Sequence, residues 1–193
     1  MEDELIIREK KILAILEREI MDGEEMAAAV GKMAEQMLLD EKGFAPAEVR
    51  RNVDFTVVLG EERVRSHMDL LVTLDGRNAM IIKCAPGSID SRQRQAVAAA
   101  RVMGELPVPV AVVMDPRSAV ALDSATGKVI GEGFEAIPSR EELVRLLAGR
   151  ELKPVPPEKA EREKRILLAF DAIRCCIPQG AGGGVSLKED DKS

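Results

Sequence analysis

The sequence predicts an α/β domain, and three observations carry that prediction. Apolar residues recur at every third or fourth position up to about Glu41, the period of amphipathic helices. After Pro46 the pattern changes to short β-branched runs divided by tight turns, which marks an antiparallel meander. Beyond Cys84 a helical stretch leads into another apolar run of strand length.

The first helix is expected from about Glu4 to Met21, on Ile6, Ile7, Ile12, Leu13, Leu16 and Ile20, with Asp22-Gly23 as its breaker. A second helix runs from about Glu24 to Glu41. Met26, Val30, Met33, Met37 and Leu38 face inward, and Gly43 is its stop. Val53 to Leu59 reads as a strand ending at Gly60. A turn at Glu61-Glu62-Arg63 then leads into a strand from Met68 to Leu74. Asp75-Gly76 is a strong hairpin signal, returning the chain as Ala79 to Cys84.

Asp90 or Ser91 can cap a helix that runs to about Met103. Val108 to Met114 suits a buried strand, and Ala119 to Leu122 with Lys128 to Ile130 suggests a last hairpin around Thr126-Gly127. Ser139 followed by Glu142 is a capping-box signature for a helix to about Ala148. Lys153-Pro154-Val155-Pro156-Pro157 is a stiff linker before a final helix, about Glu158 to Arg174. Residues 1–150 are thus expected to form one α/β domain with two N-terminal helices. Residues 151–178 form the linker and C-terminal helix, and 179–193 a disordered tail.

Composition narrows the function classes. Only 2% of the 193 residues are aromatic, four Phe with no Trp or Tyr. Base stacking on aromatic rings, the usual grip on single-stranded nucleic acid, is therefore scarcely on offer. A net charge of −6 argues against broad, non-specific binding to phosphate backbones. It leaves room for a local basic groove. Arg92, Arg94 and Arg101 with Lys83 form one candidate cluster, and Arg50, Arg51, Arg63 and Arg65 another. No segment reaches the roughly 18 apolar residues of a membrane span, so no membrane partner is expected. The acidic opening Met1-Glu2-Asp3-Glu4 is wrong for a secretory signal, and three cysteines without metal-ligand spacing suggest free thiols. The expected location is the cytoplasm.

Four segments, taken in order, carry a family resemblance. Leu38-Leu39-Asp40-Glu41-Lys42-Gly43-Phe44-Ala45-Pro46 ends a helix in a Gly-aromatic-Pro-type turn. Ser66-His67-Met68-Asp69-Leu70-Leu71-Val72 places an aspartate in the second strand, and Ile81-Ile82-Lys83-Cys84-Ala85-Pro86 a lysine in the third. Gln95 opens the helical run Gln95-Ala96-Val97-Ala98-Ala99-Ala100-Arg101. Together they resemble the PD-(D/E)XK nuclease superfamily, and within it the N-terminal domain of type I restriction enzyme R subunits. The match spans about residues 24 to 133. It implies a restriction-endonuclease-like three-layer fold. A mixed central sheet would open with the antiparallel meander and be flanked by helices.

In that superfamily the strand carboxylates hold Mg²⁺, which polarises the scissile phosphate and activates water. The resemblance gives Asp69 a metal-binding and catalytic role, and Lys83 and Gln95 catalytic ones. The usual glutamate is missing. If Lys83 keeps its role, Ile81 replaces it; if Ala85-Pro86 sets the register, Ile82 replaces it and Cys84 takes the lysine's place. Ala99 stands where the helix motif often has tyrosine. Glu35, from the preceding helix, is the best replacement acid for metal and catalysis, with Asp54 a further option. His67, the only histidine, is expected to be structural or exposed.

The expected function is a restriction-endonuclease-like domain with a degenerate metal site, acting as a DNA- or protein-binding module. An active Mg²⁺-dependent DNA endonuclease using a migrated acid is the alternative. A third course is a non-enzymatic α/β scaffold or dimerisation protein. Mg²⁺ is the implied cofactor only where the site functions. DNA, a partner subunit or a homodimer are the partners these options imply.

Overall fold

The computed structural model describes residues 23, 25–85 and 89–175, with the side chains of 172–175 excepted. The expected first helix, the tail from Gln179, and Cys176 lie outside the described residues.

Helix α1 covers residues 25–40. Its face reads Val30, Ala34 and Leu38, all buried, with Met33 and Met37 packed beside them. Met26, expected to face inward, is instead 44% exposed. It lies about one turn before Val30, the first buried residue of the helix. Gly43 ends the helix in a left-handed conformation, φ 76°, as a stop glycine should.

A short 3₁₀ turn, Pro46–Glu48, leads into β1 (Val49–Leu59). Strands β2 (Glu62–Leu74) and β3 (Arg77–Cys84) follow as an antiparallel meander. β1 and β2 both start earlier than the apolar pattern predicts, by four and six residues. Their extra residues, such as Arg50, Arg63 and Arg65, are polar because that length of the hairpin is exposed. The β1–β2 turn is accordingly the two-residue Gly60-Glu61 rather than the expected Glu61-Glu62-Arg63. Asp75 and Gly76 both take positive φ, 49° and 75°, the requirement of a type I′ hairpin turn.

Helix α2 (Ile89–Val102) carries the chain back so that β4 (Val110–Met114) lies parallel to β3. The helix starts before Asp90 and Ser91, so both expected caps sit inside its first turn. Strands β5 (Ala119–Asp123) and β6 (Val129–Glu132) complete a six-stranded sheet whose order is that of the chain, β1 to β6. Helix α3 (Arg140–Leu147) opens with the predicted capping box: Ser139 Oγ accepts from the Glu142 amide and the Glu142 carboxylate accepts from the Ser139 amide. Helix α4 (Pro157–Cys175) ends the described chain.

The two sheet faces build two cores. One joins Leu70, Val72, Met80, Ile82, Val112 and Met114 to α1 and to Leu143 of α3. The other joins Met68, Leu71, Ile81, Ala111 and Val113 to the alanine face of α2 and to Leu167 of α4. Small side chains at Ala96, Ala98, Ala99 and Ala100 are all buried. The chain is therefore an α/β domain with a mixed six-stranded sheet and helices on both faces. No described helix is long and apolar enough to cross a membrane.

Candidate functional site

The site begins with strand register. β2 and β3 pair Leu71 with Ile81 and Leu70 with Ile82, which brings Asp69 and Lys83 to the next opposed positions. Lys83 Nζ lies 3.0 Å from Asp69 Oδ2, and Lys83 also donates to the His67 carbonyl at 3.5 Å. The same carboxylate oxygen accepts the Cys84 amide at 2.8 Å, in place of a strand partner. The Lys83 side chain is only 4% exposed and Asp69 14%. Lys83, a candidate for a basic groove from sequence, is thus buried against a carboxylate.

Side chains two residues apart on a strand share a face, so Ile81 lies on the side of Lys83. Ile81 is fully buried in the α2–α4 core. Cys84 points the other way, into the α1 core. Lys83, and not Cys84, is thus the side chain set against Asp69. Burial, seconded by the nearby Asp69 charge, pushes the Cys84 thiol up to about 12, so it stays protonated and unreactive near neutrality.

The other expected site residues are not gathered here. Glu35, on α1, pairs with Arg51 Nη1 at 3.2 Å. Gln95 is buried on α2, where its amide nitrogen donates to Asp171 Oδ1 at 3.5 Å and its oxygen accepts from Arg92 at 3.0 Å. Gln95 thus ties α2 to α4 rather than reaching Asp69.

What does join Asp69 is a row of charge that runs across the meander. Asp54 and His67 are direct partners in the β1–β2 register. His67 Nδ1 lies 2.9 Å from Asp54 Oδ1, and its other nitrogen, Nε2, 3.8 Å from Asp69 Oδ1. Arg65 Nη2 meets Asp54 Oδ2 at 2.5 Å. The His67 hydrogen bond, helped by Arg65, holds the Asp54 carboxyl below the usual carboxylate range against a smaller effect of burial. Exposure falls along the row from Arg65 at 78% to Lys83 at 4%. His67 is therefore held by one carboxylate, Asp54, with a second, Asp69, near its other nitrogen. Its position opposite Asp54 was readable only once the hairpin register was known.

Sequence reasoning missed a second polar cluster. Glu163, 2% exposed, receives Arg101 at 2.7 Å and Arg94 at 2.6 Å, while Arg101 also donates to the Ser124 and Ala125 carbonyls. Glu163, Leu167 and Asp171 are all buried. They stand four residues apart, which puts them on one stripe of α4. Two acids on a stripe with a core leucine were the available signal.

A Mg²⁺ site of the resembling family needs several oxygen ligands converging on one point. Here Ile81 fills the glutamate position with core, Asp69 is engaged by Lys83 and the Cys84 amide, and Glu35 is turned to Arg51. The residues present do not fit that ion in that arrangement. No family model, curated protein or solved structure matches this chain, so its chemistry rests on these residues alone.

Proposed function

We propose that the chain is a restriction-endonuclease-like domain, related to the nuclease domains of type I restriction R subunits, whose metal site has degenerated and which acts as a binding module. The observation that carries this reading is the Asp69–Lys83 pair at 3.0 Å beside a fully buried Ile81. An aspartate and lysine opposed on adjacent strands are the pattern of a PD-(D/E)XK site. The isoleucine between them and the core removes the second carboxylate that a strand-borne Mg²⁺ would use.

Between the two kinds of partner, the ion pairs favour protein over DNA. Arg101 and Arg94 are spent on Glu163, Arg51 on Glu35 and Arg65 on Asp54. Lys83 is buried. Of the second cluster, Arg50 and Arg63 alone are exposed without an ion pair, and the chain as a whole carries −6.

Purified protein incubated with supercoiled and linear DNA and either Mg²⁺ or Mn²⁺ is expected to leave both intact. Cleavage that needs the metal and disappears in Asp69→Ala would overturn the reading in favour of an active nuclease.

A further inference from the structure

The six-stranded sheet is open, and its two edges are finished differently. Among the described residues β6 pairs only with β5, and β1 only with β2. An edge strand presents a row of unpaired N–H and C=O groups, which proteins commonly blunt by shortness, charge or a bulge. β6 has all three. It is 4 residues long, its pairing shifts register between Ala121 and Leu122, and Lys128 and Glu132 bracket its apolar Val129 and Ile130. β1 is 11 residues long. Asn52, at φ 52°, takes the left-handed conformation, and beyond it Val53 to Leu59 run in unbroken register with β2. Asp54 is the only charge in that run, and it is already engaged by Arg65 and His67. Val58 is 38% exposed on the same run.

We propose that a second copy of this chain docks along the outer edge of β1, antiparallel to it, about a two-fold axis at Thr56. The proposal rests on the binding-module reading in taking a protein as the partner, and it names which one. What selects a second copy is that the edge is complementary to itself. Side chains alternate faces along a strand, and a two-fold axis through one residue keeps like faces together. Thr56 is the midpoint of the run from Val53 to Leu59, so an axis there pairs all of it. Thr56 then meets Thr56, Phe55 meets Val57, and Val53 meets Leu59. Val53, Phe55 and Val57 lie on the face that joins the α2–α4 core, so apolar side chains oppose one another beside it. Asp54 falls opposite Val58, and no charge meets a like charge. Threonine pairs and aromatic–β-branched pairs are favourable cross-strand neighbours, whereas like charges directly opposite are not.

Sedimentation equilibrium of the full chain, in reductant and over a wide range of concentration, reads the association directly. A reversible monomer–dimer equilibrium is expected. Thr56 is exposed, so Thr56→Lys and Thr56→Glu should each keep the wild-type circular dichroism. Each should weaken dimerisation at least about tenfold, because two like charges then stand face to face across the axis. Mixing the two variants should restore it, since lysine then meets glutamate. Ile130→Lys, on the β6 edge, should leave it unchanged. A chain that is monomeric throughout, a dimer indifferent to both Thr56 variants, or a mixture no tighter than its parts would each overturn the proposal. So would loss of the dimer in Ile130→Lys. Intact DNA from a chain that stays monomeric would keep the degenerate-nuclease reading and sink this one, so the two fail separately.

Discussion

Asp69 satisfies two buried groups with one oxygen: the Lys83 ammonium at 3.0 Å and the Cys84 amide at 2.8 Å. Its removal therefore strands a charge and a donor together, while removal of Lys83 leaves a carboxylate that still accepts the amide. Breaking a buried pair from one side costs about 3–5 kcal/mol when a charge is left uncompensated. Asp69→Ala is expected to cost that much in urea unfolding. Lys83→Met should cost clearly less, since the methionine suits the apolar surroundings and Asp69 keeps some contact with water. Equal costs for the two variants would show that the aspartate is not the anchor of the pair. The residue scale is also where sequence was weakest. Asp69 and Lys83 are named through the family resemblance, and the hairpin at Asp75-Gly76 makes it plain that positions 14 residues apart can meet. The partnership of His67 with Asp54 could not, because it depends on where β1 starts and hence on polar, exposed residues that carry no period.

Among the elements, α4 is bound to the domain by a polar stripe as much as by Leu167. Glu163 sits at 2% exposure between Arg94 and Arg101. Truncating it leaves the buried Arg101 with backbone carbonyls but no counter-charge. Glu163→Ala is expected to lower stability by about 3–5 kcal/mol. Glu161→Ala, on the exposed side of the same helix, should change it by less than about 0.5 kcal/mol. Hydrogen exchange should show α4 losing protection first in the Glu163 variant; uniform loss throughout the sheet would mean that the helix and domain open as one. Elements with their own local signal were legible in advance. The type I′ turn, the Ser139–Glu142 capping box, and the extents of α3 and α4 all came from residues whose chemistry acts within a few positions. The misplaced cap of α2 and the exposed Met26 did not, because an element's first turn depends on what precedes it and on where the sheet ends.

For the molecule as a whole, acid is the most direct probe of its electrostatics. The hydrogen bond from Arg140 holds Glu48 below the ordinary carboxylate range, and the Ser139 amide and hydroxyl do the same for Glu142. At Asp123 burial pushes upward, but hydrogen bonds from Thr126 and Arg150 outweigh it. With Asp54, four carboxyls thus bind protons less readily when folded than when unfolded. The unfolded chain takes up more protons between the ordinary and lowered values, so the stability these groups add is complete above pH of about 4–5 and drains as pH falls below it. Thermal unfolding followed by circular dichroism should show a flat midpoint from pH 7 to about 5 and a decline toward pH 3. A midpoint that rises on acidification would contradict this sign. Each group is partly or fully solvent-facing, so the decline should be gradual and shrink in high salt.

The sheet's strand order bears on how such a chain can be assembled. Because β1 to β6 lie side by side in the order in which they occur, each new strand docks on the edge left by the one before it. No strand has to be threaded between two that are already paired. A chain leaving the ribosome can lay down the whole sheet from one edge to the other, burying each ladder as it forms, before α4 arrives to seal the second core.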